Sequence, residues 1–172
     1  MKIKLAPFKP QTDFYVSVEY ERQANSLILI YMVHGTFNDL NLPEFRAGNR
    51  KNNLWENTCF ELFLSQEKSD DYLEFNFSPN GDWNIYHFDS LRSGMKEYQS
   101  VQVKLLPPSK SSGLYSQRIV IDLGKSDFAE RPLNMGITSI TKRGDVLDYW
   151  ALVHPHHDRP DFHHPAGHIL CC

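Results

Sequence analysis

The sequence predicts an all-β chain folded as an antiparallel β-sandwich, and three observations carry that expectation. Hydrophobic alternation with period two recurs along the chain, whereas helical periodicity is almost absent. The alternating runs are short and are separated by clusters of Gly, Pro, Asn, Asp and Ser, the residues that turn a chain. At 172 residues, the chain is long enough to bury a core between two sheets as one domain spanning 1–172.

Each run can be justified in order. FYVSVEY places Phe14, Val16, Val18 and Tyr20 on one face, and SLILIYMV is apolar on both faces, as a strand in mid-sheet should be. Residues 35–55 carry no such pattern and read as an irregular insertion, as do residues 106–114. TCFELFL turns Phe60, Leu62 and Leu64 inward and Glu61 outward. DYLEFNFSPNGDWNIYHF reads as a hairpin, because Asn80-Gly81 is the preferred pair for a two-residue type I′ turn. That turn sets Ser78 opposite Trp83, Asn76 opposite Ile85 and Glu74 opposite His87. Tyr72, Glu74, Asn76, Ser78, Trp83 and His87 then share an outward polar face, while Leu73, Phe75, Phe77, Asn84, Tyr86 and Phe88 point to the core. VQVKLL, YSQRIVIDL and MGITSI follow as strands. VLDYWALVH closes the series, with Leu147, Tyr149, Ala151 and Val153 inward and Asp148, Trp150 and His154 on the opposite side.

Two tryptophans thus stand on faces otherwise occupied by carboxylates, amides and imidazoles. A saccharide needs such a surface: a flat apolar partner for its C–H face, with planar polar groups around it for its hydroxyls. Trp83 and Trp150 are the expected stacking residues, and Glu61, Glu74, Asn76, Arg92 and His87 the expected polar contacts. The alternative is that both tryptophans are half-buried sheet residues covered by loops.

The same segments resemble a known family. LWENTCFELFL, YLEFNFSPNGDWNIYHF, RSGM, YWALVHP and PDFHH, spanning about residues 54 to 168, are similar to DOMON-like proteins related to family 9 carbohydrate-binding modules. In those modules a Trp-acid-x-x-x-x-Glu segment opens a strand, matched by Trp55, Glu56 and Glu61. The resemblance implies an immunoglobulin-like or jelly-roll β-sandwich of sugar-binding ancestry. Sugar-binding members grip a sugar between two tryptophans, for which Trp83, Trp150 and Trp55 are the candidates here. They also carry structural calcium, whereas SPNGD offers one carboxylate where a good calcium site wants several oxygens. Related domains bind haem, so the fold does not fix the ligand.

HPHHDRPDFHHPAGH raises the question of metal, since it concentrates six of the eight histidines. His154, His156, His163 and His164, with Asp161, are the candidate zinc ligands, but their spacing matches no established pattern. A proline-stiffened loop closing one end of the sandwich, with Phe162 as a plug and Asp161 capping backbone amides, accounts for the segment more simply. Haem ligation by Met95 and a histidine is not demanded by any spacing. No cofactor is predicted; calcium and zinc stay open and haem is disfavoured.

Glu56, Glu61 and Glu74 offer carboxylates for a glycosidase pair, which must lie roughly 5–9.5 Å apart, but sequence gives no separation and no nucleophile motif accompanies them. Cys59 between Thr and Phe reads as a small apolar residue. The leading expectation is therefore a non-catalytic module binding carbohydrate or another small ligand. A metal-dependent hydrolase using the histidines, a haem domain, or an interaction domain that buries its face in a homo-oligomer are the alternatives. A net charge of −3 argues against nucleic acid. No signal peptide and no apolar run long enough to span a bilayer is visible, and three cysteines, including Cys171 and Cys172, make no disulfide framework. These features predict a cytoplasmic protein away from membranes.

Overall fold

The computed structural model describes residues 1–124, 126–129 and 132–171; Cys172 lies outside them. The chain opens with β1 (Lys2–Lys4), β2 (Ala6–Pro7), β3 (Phe14–Gln23) and β4 (Ser26–Gly35), then crosses 36–53 to a turn of 3-10 helix at Leu54–Glu56. Next come β5 (Cys59–Gln66), β6 (Tyr72–Phe77), β7 (Trp83–Phe88) and β8 (Lys96–Glu97). β9 (Gln102–Leu105), β10 (Ser109–Ser111), β11 (Leu114–Asp122), β12 (Leu133–Arg143) and β13 (Val146–Ala151) follow. A second 3-10 turn at Pro165–Gly167 precedes β14 (Leu170–Cys171). Among the described residues, no helix is long and apolar enough to cross a membrane.

The strands form two antiparallel sheets. One runs β1-β3-β4-β11-β10, with β9 also paired to β11; the other runs β2-β13-β12-β5-β6-β7-β8, with β14 paired to β12. Between them lies the core. Phe14, Val16, Val18, Leu27, Leu29 and Tyr31 from the first sheet meet Phe60, Leu62, Leu64, Phe75, Phe77 and Ile137 from the second. The alternation read in β3 and β5 is the alternation that fills this layer. Tyr31 is buried whole, and its hydroxyl donates to the Glu61 carbonyl across the core at 2.5 Å, so no polar atom is stranded there. The insertion at 36–53 is irregular, forming isolated bridges to strands at Leu40 and Arg50 and packing Phe37 and Leu40 into the core. The segment 106–114 instead contains β10, which folds back on β11.

The central hairpin departs from the expected turn. Its loop is three residues, Pro79-Asn80-Gly81, with the Gly81 amide donating to the Ser78 carbonyl and the Ser78 amide to the Asp82 carbonyl. Gly81 has φ of +101°, and Asn80 is not among the residues with positive φ. This is a type I turn followed by a left-handed bulge residue, and Pro79 explains it: proline presets the first central position of type I. The extra loop residue shifts the register by one. Phe77 pairs with Trp83, Asn76 with Asn84, Glu74 with Tyr86 and Leu73 with His87. Every side chain of β7 therefore changes face relative to the expectation. Trp83 packs against the core, and Asn84, Tyr86 and Phe88 turn outward with Glu74.

Trp150 is likewise corrected. On β13 it is 1% exposed, tilted against Phe14 with ring centroids 5.2 Å apart, and its indole N–H donates to Thr141 Oγ1 at 2.9 Å. Leu147 and Tyr149 lie on the outer face instead. Pairing decides this, because Trp150 stands opposite Ser139, which stands opposite the core residue Phe60.

Candidate functional site

The outer face of the eight-stranded sheet carries an open cavity of about 460 Å³. It crosses five strands, from Tyr149 on β13 through Ile140 on β12, Glu61 and Phe63 on β5 and Glu74 on β6 to Phe88 on β7. Trp55 and Glu56 reach it from the 3-10 turn, Arg92 and Met95 from the β7–β8 connection, and Phe162 and His163 from the C-terminal segment. Glu56, Arg92 and Met95 are exposed at the mouth, whereas Glu61 and Glu74 are 2% and 6% exposed on the floor.

Those two glutamates are diagonal neighbours, since Glu61 pairs with Asn76 and Glu74 with Phe63. Thr138 donates to Glu61 Oε2 at 3.0 Å and Asn76 donates to Glu74 Oε1 at 2.7 Å. Asn76 is fully buried, so it orients Glu74 from behind the floor. Burial, and then the charge of Glu74, push the Glu61 carboxyl up to about 8. Burial likewise raises Glu74 to about 7 against the hydrogen bond from Asn76 and the charge of Arg92.

A hydrogen-bonded chain holds the wall beside them. The Arg92 amide donates to the Tyr72 hydroxyl at 3.2 Å, leaving that hydroxyl to donate to His163 Nδ1 at 2.7 Å. His163 Nε2 faces Glu74 Oε2 at 3.7 Å. Burial and the charge of Arg92 lower His163 to about 4, so it is neutral. Arg92 sits at φ +55°, a left-handed conformation that a non-glycine residue holds only when its surroundings impose it. Its guanidinium binds Asp161 at 2.8 Å. Burial raises the Asp161 carboxyl, but the hydrogen bond and charge of Arg92 overcome that and hold it below the usual range. This pair ties the C-terminal segment across the sheet face. Asp161 takes a guanidinium, not the backbone amides expected, and Phe162 plugs the outer face beside Tyr149, not an end of the sandwich. Gly136 makes room for the segment, since a Cβ there would lie 2.4 Å from the His168 ring.

Of the residues singled out in the sequence, the cavity brings together Glu61, Glu74 and Arg92, with Asn76 in support. It does not include Trp83, Trp150 or His87. Trp83 lies beneath the Arg50 guanidinium, 4.3 Å from its ring centroid. His87 bonds Asp71 at 3.1 Å and stacks on Tyr98, on the core-side face at the sheet edge. The aromatic rings that line the cavity are Trp55, Phe63, Phe88, Tyr149 and Phe162, with the His163 imidazole beside them. The family motif named Trp55; Tyr149 was hidden by the inverted reading of β13.

The candidate metal ligands are dispersed. His154 Nε2 bonds the Ala6 carbonyl at 2.9 Å, His164 Nδ1 accepts from the Ala166 amide, and His156 lies 3.8 Å from Asp161. Among the described residues, no three His, Cys, Asp or Glu side chains converge to hold a metal ion. At SPNGD, the buried Asp82 carboxylate is met by Lys51 at 2.9 Å and Arg46 at 3.4 Å, which occupy the position of a cation. Met95 and His163 both line the cavity, and His163 Nδ1 is held by the Tyr72 hydroxyl.

The fold is a two-sheet antiparallel β-sandwich that solved structures share. A Bacteroides uniformis protein provisionally described as carbohydrate-binding shares it with a TM-score of 0.61 at 18% identity, covering 91% of this chain and 77% of that one. A family 9 carbohydrate-binding module from Caldicellulosiruptor kristjanssonii, solved in complex with glucose, gives a TM-score of 0.47 at 10% identity, covering 84% of this chain and 70% of that one. No protein-family model and no curated protein matches the chain in sequence.

Proposed function

We propose that this protein is a non-catalytic carbohydrate-binding module and that the outer-face cavity is its site. One observation carries the reading: aromatic rings and hydrogen-bonding carboxylates line the same solvent-open hollow, which is of a size to admit a sugar ring. The half-buried Trp55, Tyr149 and Phe162 supply apolar faces for C–H stacking, and Glu61, Glu74, Arg92 and His163 supply donors and acceptors for hydroxyls. The described character of the Bacteroides uniformis relative agrees with it. The DOMON kinship read in the motifs is compatible with the same site but adds nothing to its chemistry.

Titration of the chain with mono- and disaccharides, followed calorimetrically, tests the proposal. Trp55→Ala is expected to lower affinity at least about tenfold, a loss of ~1.4 kcal/mol, with a melting temperature close to that of the parent. Unchanged affinity in Trp55→Ala would remove this cavity as the sugar site.

A further inference from the structure

The cavity floor holds two carboxylates and no cation of its own. Thr138 on β12, Asn76 on β6 and Cys59 on β5 surround Glu61, and Asn76 and the neutral His163 contact Glu74. Arg92 is the one cationic side chain lining the cavity among the described residues, and its guanidinium is bound to Asp161. Lys142, beyond the lining, spends its ammonium on the Glu56 carbonyl and Asn57. Glu56 adds a third carboxylate at the mouth. Two desolvated acids on one floor repel each other, and a buried acid is stable in its charged form only when a cation or several donors meet it. A neutral sugar replaces water with hydroxyls but brings no charge that would favour the ionised form of either acid.

We propose that the cavity is built for an amino sugar, whose protonated amine sits on the Glu61–Glu74 pair while the ring stacks on the aromatic wall. The inference rests on the carbohydrate reading and names its ligand class. An ammonium donates to both carboxylates, cancels their repulsion and is further favoured by the faces of neighbouring aromatic rings. It also explains why the nearest guanidinium is tied back: a free Arg92 would compete for the same acids. Burial raises the carboxyls of Glu61 and Glu74, so binding a cation, which favours their charged forms, should release protons from the floor.

Calorimetric titration with glucose, glucosamine and glucuronic acid at pH 6.5, where the amine is charged, decides the matter. Glucosamine is expected to bind at least about tenfold tighter than glucose, with glucuronic acid weakest. Added salt should narrow the glucosamine preference, as an ionic contact requires. Glu61→Gln and Glu74→Gln, near-isosteric changes checked for folding by melting, should each bring the glucosamine-to-glucose affinity ratio towards one. If either variant fails to fold, the ranking of the three sugars on the parent chain still decides. Glucose binding equal to or tighter than glucosamine overturns the amine inference and leaves the carbohydrate reading intact. Absence of binding by all three sugars, and by disaccharides, overturns both.

Discussion

At the scale of single residues, the three tryptophans show how far identity is from role. Each is a large ring on or beside a strand, yet Trp55 lines a cavity, Trp83 lies under a guanidinium and Trp150 is sealed among core side chains. Replacing Trp150 by Ala removes a buried ring and strands Thr141 Oγ1, so it should cost about 3–5 kcal/mol, read as a fall in the denaturant midpoint. A cost no larger than that of Trp55→Ala would contradict its core position. The buried acids make a second measurable claim. Glu61 titrates near 8 in the fold and near an ordinary carboxyl value when unfolded, so the folded state binds the extra proton. Its contribution to stability is full below the unfolded value and is lost as pH rises through about 8. His163, held at about 4, acts oppositely but only below its ordinary value near 6.5. Between pH ~6.5 and 8, the glutamates therefore act alone, and the melting temperature should fall across that window. Glu61→Gln should flatten the slope; an equal slope in the variant would assign it elsewhere.

At the scale of elements, the β6–β7 hairpin is where one loop residue decides the site. Asn80-Gly81 announces a tight turn, and only the preceding Pro79, taken together with Gly81, specifies the three-residue form. Had the two-residue turn formed, Trp83 and His87 would stand beside Glu74, and Tyr86 and Phe88 would be inside. Gly81 is also where the 36–53 insertion docks, since a Cβ on it would meet the Arg46 carbonyl at 2.4 Å. Gly81→Ala combines positive φ with that clash and should cost more than about 1 kcal/mol, checked by urea unfolding. An undiminished midpoint would show that the turn relaxes freely. The C-terminal segment is a second element whose role was only half legible. Its prolines argue against a long helix and its histidines suggest metal, but His154, His163 and His168 are held by the Ala6 carbonyl, the Tyr72 hydroxyl and the Phe162 carbonyl, partners that histidine spacing does not reveal.

At the scale of the whole molecule, two sheets enclose one core and the second sheet presents its outer face as a hollow. The fold pairs the buried Asp82 carboxylate with Lys51 and Arg46, so chelation with EDTA should leave the melting temperature unchanged. A marked fall would reveal a structural cation. The sequence by itself determined the all-β class, the inward sides of β3, β5 and β6, and three of the acids and bases of the cavity. These follow from period-two alternation, which is a local property of the strand. Which way β7 and β13 face was decided by tertiary structure, because both strands carry aromatic residues on both sides. For such strands alternation is symmetric, and only loop length and partner register break the tie. The cavity itself is assembled from a turn, five strands, a connection and a tail far apart in the chain. No local pattern encodes that convergence, since it arises from the order in which strands pair.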